Sequence, residues 1–310
     1  MAARLPFELL TLIVDDVAEQ TFSNDINNPD TATLRNCALV SSQFTTLCQK
    51  HIFSRIRIPF HKPYAISILQ QILDVDNPEL GSYVKDLALI TLSHTDTYQT
   101  GLDRIIRRCT HVVNLAIGCD GAQACIDWDR GMPENTRLAL ESVIHSPTCK
   151  TLLCYGFRIP LSIFLNPPHT CAIESFVFTN KGGVTRGTVG CLDKLPVGGS
   201  SYGYLRFLSV RPSFMELLLT ATFPDGRYMF DFTNLDTLRV DHTTWRVTQT
   251  NLTIEMLSRA TSLRSLGLDL SCKSFMTLLW NTAHQFASGA LDSDSGYLFQ
   301  THAVLFHDFD

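Results

Sequence analysis

The stretch that comes nearest to a catalytic device is Gly199-Ser200-Ser201-Tyr202-Gly203, which fits Gly-x-Ser-x-Gly with Ser201 in the nucleophile's place. A serine of this kind works from a sharp turn between a strand and a helix, which lifts its hydroxyl clear of the backbone. Here a glycine-rich run comes before the serine and an apolar strand pattern, Leu205 to Val210, comes directly after it. The required order is missing. Asp241, His242 and His302 lie downstream, but no spacing ties them to Ser201, so a hydrolase is the third of three readings. Gly183-x-x-x-Gly187 lacks the Gly-Lys-Ser/Thr that completes a phosphate cradle. The chain has no Cys-x-x-Cys, His-x-x-x-His or His-Glu-x-x-His. Cys149 with Cys154, and Cys119 with Cys125 near His111, do not have the spacing of zinc ligands. Neither a metal nor a cofactor is expected, and no catalytic residue is assigned. Arg104, Arg107 and Arg108 make a basic helical face, which in the ordinary case is solvated surface; its functional alternative is a seat for an acidic or phosphorylated partner.

Composition narrows the class further. The 310 residues leave room for one large or two modest domains, and 45% apolar content supports a sizeable core. With 25 basic against 30 acidic side chains, the formal charge of −5 gives no general pull toward nucleic acid or an anionic membrane. The ten cysteines are scattered and mostly sit in apolar patterns, which points to reduced core thiols rather than a disulfide scaffold. Glu8 interrupts the first apolar run and Asp15 and Asp16 follow it, unlike a signal peptide. No apolar run is long enough to span a bilayer. A cytoplasmic or nuclear protein is expected, and the sequon at Asn251-Leu252-Thr253 then has no use.

The elements that must position any site begin with the N-terminal stretch. Leu5, Leu9, Leu12, Ile13 and Val17 form one helical stripe, and Leu10 and Val14 widen it into a second face. One buried face is too little for both. Leu34 and Ala38, and then Phe44, Leu47, Cys48 and Ile52, mark two further short helices. Three helices within some fifty residues bury too little surface to be comfortable alone.

Leu5-Pro6-x-Glu8-Leu9 with Ile13, then Leu34-x-x-Cys37-Ala38-Leu39-Val40-Ser41-x-x-Phe44, then Ile52-Phe53-x-x-Ile56, resembles an F-box of the kind abundant in fungal F-box proteins. Phe44 stands where that family most often has Trp. The resemblance implies a three-helix module, residues 1–60, that docks on the adaptor subunit of a cullin-RING (SCF-type) ubiquitin ligase while the rest of the chain holds a protein substrate. It carries the adaptor-docking surface and its immediate support onto Leu5, Pro6, Leu9, Ile13, Leu34, Leu39, Val40 and Phe44.

Beyond a linker with helical character at 61–83, a phrase of the form apolar-x-x-apolar-x-apolar recurs seven times, with its fourth position at 87, 115, 152, 176, 208, 238 and 266. The steps are 28, 37, 24, 32, 30 and 28 residues. The phrase resembles a leucine-rich repeat, in which the last two apolar residues point inward from a short strand. Helices are expected between phrases at Leu102 to Cys109, Leu138 to Ile144, Phe214 to Leu219 and Leu252 to Leu257, with one more at Phe275 to Phe286. The fold class is therefore α/β, an F-box-like module followed over 84–310 by an irregular leucine-rich-repeat solenoid with a curved parallel sheet. A Gly-rich insertion at 179–204 interrupts it. The substrate is expected on the concave face, at Lys85, Asn114, Lys150, Glu174, Arg206, Asp236, Arg239 and Arg264. The alternative reading is a leucine-rich interaction scaffold with no ligase role.

Overall fold

The computed structural model describes residues 6–24, 32–59, 62–91, 101–119, 126–160, 162–165, 172–179, 183–185, 202–223, 225–242 and 247–270. Three helices open the chain: α1 (Phe7–Asn24), α2 (Ala32–Val40) and α3 (Ser42–Ile52). Next come β1 (Arg55–Pro59), α4 (Pro63–Gln71), a π turn (Ile72–Asp76), a 3-10 turn (Pro78–Tyr83) and β2 (Asp86–Thr91). They are followed by α5 (Leu102–Arg108), β3 (Asn114–Cys119), β4 (Ile126–Asp127), α6 (Trp128–Gly131) and α7 (Glu134–Ile144). β5 (Thr151–Tyr155), β6 (Phe157–Pro160), α8 (Ser162–Leu165), β7 (Ser175–Thr179) and β8 (Gly183–Thr185) continue the chain. The last described elements are β9 (Phe207–Val210), α9 (Pro212–Thr220), β10 (Thr237–His242), α10 (Val247–Arg259) and β11 (Ser265–Leu270).

The chain is mixed α/β, and eight strands form one open parallel sheet in the order β1-β2-β3-β5-β7-β9-β10-β11. Each of the seven phrases supplies one of these strands. An eighth copy, Phe53-Ser54-Arg55-Ile56-Arg57-Ile58, which the sequence reading leaves inside the N-terminal module, supplies β1. Its Ile56 and Ile58 pair in register with Leu87 and Leu89. The same register continues where Leu152 meets Phe176, Phe176 meets Leu208, and Leu208 and Val210 meet Leu238 and Val240. Because alternate strand residues share a face, fourth positions stack on fourth positions and sixth on sixth along one side. From Ile56 to Val240, the described residues at these positions are buried.

The backbone repeats as faithfully as the side chains. The carbonyl of Ser54, second in its phrase, accepts from the N–H groups of Lys85 and Asp86 at 2.8 and 2.9 Å. Lys85 accepts in the same way from Val113 and Asn114, Lys150 from Glu174 and Ser175, and Glu174 from Arg206 and Phe207. Arg206 serves Asp236 and Thr237, and Asp236 serves Arg264 and Ser265. At the start of β2, β3, β7, β9, β10 and β11 one acceptor thus satisfies two donors, those of the residue before the strand and of the strand's first residue.

A second, three-stranded parallel sheet runs β4-β6-β8. Its strand β8 lies within the expected Gly-rich insertion, where Val184 pairs with Ile159. Residues 186–201, including Ser201, lie outside the described residues, as do Leu5 and the helix expected at 275–286.

Chain packing divides the molecule into two compact units. The first holds α1–α5, β1, β2 and nearly all of α7; the second holds β4, α6 and everything from β5 on, and β3 is divided. Within the first unit, Val14, Ala18, Leu34 and Cys48 make a small core, with Val17, Cys37, Ala38, Phe44, Leu47 and Ile52 packed partly against it. In the second unit, Phe176 lies against Phe164 at 4.8 Å between ring centroids and stacks with Tyr202 at 5.8 Å. The buried Tyr202 hydroxyl donates to the carbonyl of Ile173 at 2.6 Å, so its burial leaves no unmet polar group.

Candidate functional site

Helix α1 has two apolar stripes, and packing buries only one. Leu10, Val14 and Ala18, spaced four apart, turn inward. The other stripe remains in solvent, with Phe7 56%, Leu9 46%, Leu12 63% and Ile13 45% exposed. At the α2–α3 corner a single residue, Ser41, separates the helices. Its extended backbone and its side chain, which accepts from the Phe44 N–H, cap α3. The Thr45 hydroxyl lies 2.6 Å from the Ala38 carbonyl and donates across the corner. So tight a turn leaves Leu39 and Val40 no inward direction, and they stand 85% and 71% exposed.

Of the residues assigned to adaptor docking, Pro6, Leu9, Ile13, Leu39 and Val40 are therefore exposed, and Phe44 is half-buried. Leu34 is wholly buried and can act only as support. Phe7 and Leu12 belong with the exposed group although they were not assigned to it. Their signal in the sequence was the excess of apolar residues over what one helical face can bury. His51 and Asp15, 2.7 Å apart, tie α3 to α1 through side chains.

The residues assigned to substrate binding lie mainly along an edge. Lys85, Lys150, Glu174, Arg206, Asp236 and Arg264 all occupy the second position of their phrases, just before the strands begin. Asn114 and Arg239, at third and fifth positions, alternate with the buried residues and so belong to the sheet face opposite the core. Of the residues that sequence reasoning assigned to substrate binding, these two lie on this open face. In the first unit it carries Arg55, Arg57, Asp86, Ala88, Asn114 and Ala116, and in the second Leu153, Val177, Phe207, Ser209, Arg239 and Gly267. Strict alternation about the fourth and sixth positions was the available signal.

Ion pairs link residues of the open face and of the edge. In the first unit Asp86 accepts from Arg55 Nε at 3.0 Å and from Asn114 Nδ2 at 2.6 Å. These groups line a depression of about 390 Å³ with His51, Ser54, Lys85 and Val113. In the second unit Lys150 Nζ lies 2.9 Å from Glu174 Oε1. On the α5 face Arg108 Nε donates to Asp74 at 3.0 Å.

Among the described residues no group of three or more His, Cys, Asp or Glu could hold a metal ion, and no helix is long and apolar enough to cross a membrane. Cys37, Cys48, Cys109, Cys149 and Cys154 are thiols outside any disulfide. Burial pushes the Cys109 thiol up to about 12 and raises that of Cys154 further, so neither supplies a thiolate near neutral pH. After Tyr202 the chain runs through Gly203–Arg206 without helix and enters β9. The helix that a nucleophile elbow needs behind Ser201 is not there. No protein-family model matches this sequence, and no curated protein matches it.

Proposed function

We propose that this chain is the substrate-recognition subunit of an SCF-type cullin-RING ubiquitin ligase. In this reading it is a non-catalytic receptor whose F-box-like helices dock on the adaptor while an irregular leucine-rich-repeat solenoid holds a protein substrate. The observation that carries the reading is the exposed apolar set on the three-helix module, namely Phe7, Leu9, Leu12 and Ile13 on α1 with Leu39 and Val40 at the corner. A module with so small a core gains nothing by presenting these side chains to water unless another surface covers them. Each would contribute about 1.5–3 kcal/mol of gross stabilisation on full burial, less the costs of association and ordering. The F-box resemblance supplies the identity of the covering partner.

The test is titration of the purified full chain with a purified adaptor subunit by isothermal calorimetry. Saturable one-to-one binding is expected for the native chain. Leu9→Asp combined with Ile13→Asp should weaken it at least about a hundredfold, because two desolvated contacts become buried charges. Thermal melting should stay near the native value, since both positions already face solvent. Absence of binding by the native chain would leave the repeats as an interaction scaffold without a ligase role.

A further inference from the structure

At the start of β9, β10 and β11 the edge charges do not balance. Among the described residues Asp236 is the carboxylate there, and both Arg206 and Arg264 approach it, each with its Nε at 4.0 Å. That is longer than a charge-assisted hydrogen bond, and the two side chains are 66% and 82% exposed. Arg239 adds a third guanidinium. Its stem lies beside Gly267, where a Cβ would come 3.1 Å from Arg239 Cγ, and its Cζ sits 5.5 Å from the centre of the Phe207 ring. Phe207 pairs in register with Thr237, two residues ahead of Arg239, so the guanidinium leans back toward the leading edge and Arg206. Among the described side chains, three guanidinium groups thus gather around one carboxylate, in a chain whose formal charge is −5. Elsewhere Lys150 pairs with Glu174 and Arg55 with Asp86.

We infer that the leading ends of β9–β11 receive an acidic peptide segment, its carboxylates held by Arg206, Arg239 and Arg264 and a neighbouring apolar side chain laid on Phe207. The inference rests on reading the repeats as the substrate surface and gives that substrate a chemistry. A guanidinium fork matches a carboxylate in two parallel hydrogen bonds, and an Arg already laid across a ring loses little freedom on binding. Half-buried Val177 and Phe207 give the apolar contact on the same face. The extent of the cluster sets the length of the acidic segment. A polyanion following the edge would meet the carboxylate of Glu174. A short run of Asp or Glu fits where a nucleic-acid backbone would be repelled.

The test is fluorescence anisotropy of the full chain with a labelled twelve-residue peptide of Glu interspersed with Leu, beside its Gln-for-Glu and phosphoserine-for-Glu counterparts. The Glu peptide is expected to bind and to weaken as salt is raised. Arg206→Glu with Arg264→Glu should cost at least about tenfold, and Arg239→Ser about the same. Asp236→Asn removes the competing carboxylate and should tighten binding several-fold, a gain that misfolding cannot produce. Equal binding of Glu and Gln peptides, no binding of either, binding of the phosphoserine peptide alone, or indifference to all three variants would overturn the proposal. None of these residues lies on the three-helix module, so adaptor titration of the same variants reports separately on the ligase reading.

Discussion

The three-helix module and the repeat strands handle apolar residues in opposite ways. In the strands the fourth and sixth positions of the phrases are stacked in register and withdrawn from water, so apolar content becomes internal stability. In the module an apolar set comparable in number to the core remains outside, and the interior is left to Leu10, Val14, Ala18, Leu34 and Cys48. Burial is decided by what geometry offers. A strand in a sheet has one face for the core and gives it every second residue, whereas a helix in a small bundle can turn only part of its circumference inward. Apolar residues beyond that part stabilise the fold only by meeting another molecule.

Cutting into the repeats should give the largest effect. Phe176→Ala empties a site ringed by Phe164 and Tyr202 and is expected to cost about 3–5 kcal/mol in urea unfolding. A cost below about 1 kcal/mol would show that the strand side is no better packed than the module. Within the module, Leu34→Ala should cost about 2–5 kcal/mol while Leu39→Ala, five residues on, should stay within about 0.5 kcal/mol. Similar values at the two positions would erase the division between buried and presented residues.

A pH experiment sharpens the same contrast. The folded chain keeps the Cys109 proton up to about 12, whereas an unfolded thiol releases it near 9.0. The stability this contributes is complete below pH 9 and is lost as pH rises toward 12, at up to about 1.4 kcal/mol per pH unit. Cys109→Ala should flatten the fall in unfolding free energy between pH 9 and 11, and an unchanged slope would place the titration elsewhere. The smallest effect is expected at the module's own cross-link. Asp15→Asn weakens the pairing with His51 and should cost about 0.2–1 kcal/mol, less at high salt.

Most of the sheet could be read before any coordinates. The phrase pattern located seven strands because period-two alternation is set locally by backbone geometry, and the helices at α5, α7, α9 and α10 fall where the intervening apolar spacing placed them. The eighth strand was hidden because Phe53 to Ile58 satisfies two patterns at once, the close of the three-helix motif and the repeat phrase. The linker helix was legible, but its π and 3-10 turns were not. They depend on how Ile72–Tyr83 closes onto neighbouring elements, with Asn77 donating back to the Ile72 carbonyl.

By itself the sequence determined that α1 has two apolar stripes, that charged residues flank each phrase and that the phrases alternate. Only the tertiary structure decided that Leu10, Val14 and Ala18 go inside while Leu9, Leu12 and Ile13 stay out. It also decided that Arg206 and Arg264, far apart in the chain, share one carboxylate while Arg239 reaches back over Phe207. Periodicity is a local property fixed by backbone geometry. The side of a helix that is covered, and the charges that become neighbours, depend on which distant segments the fold brings alongside.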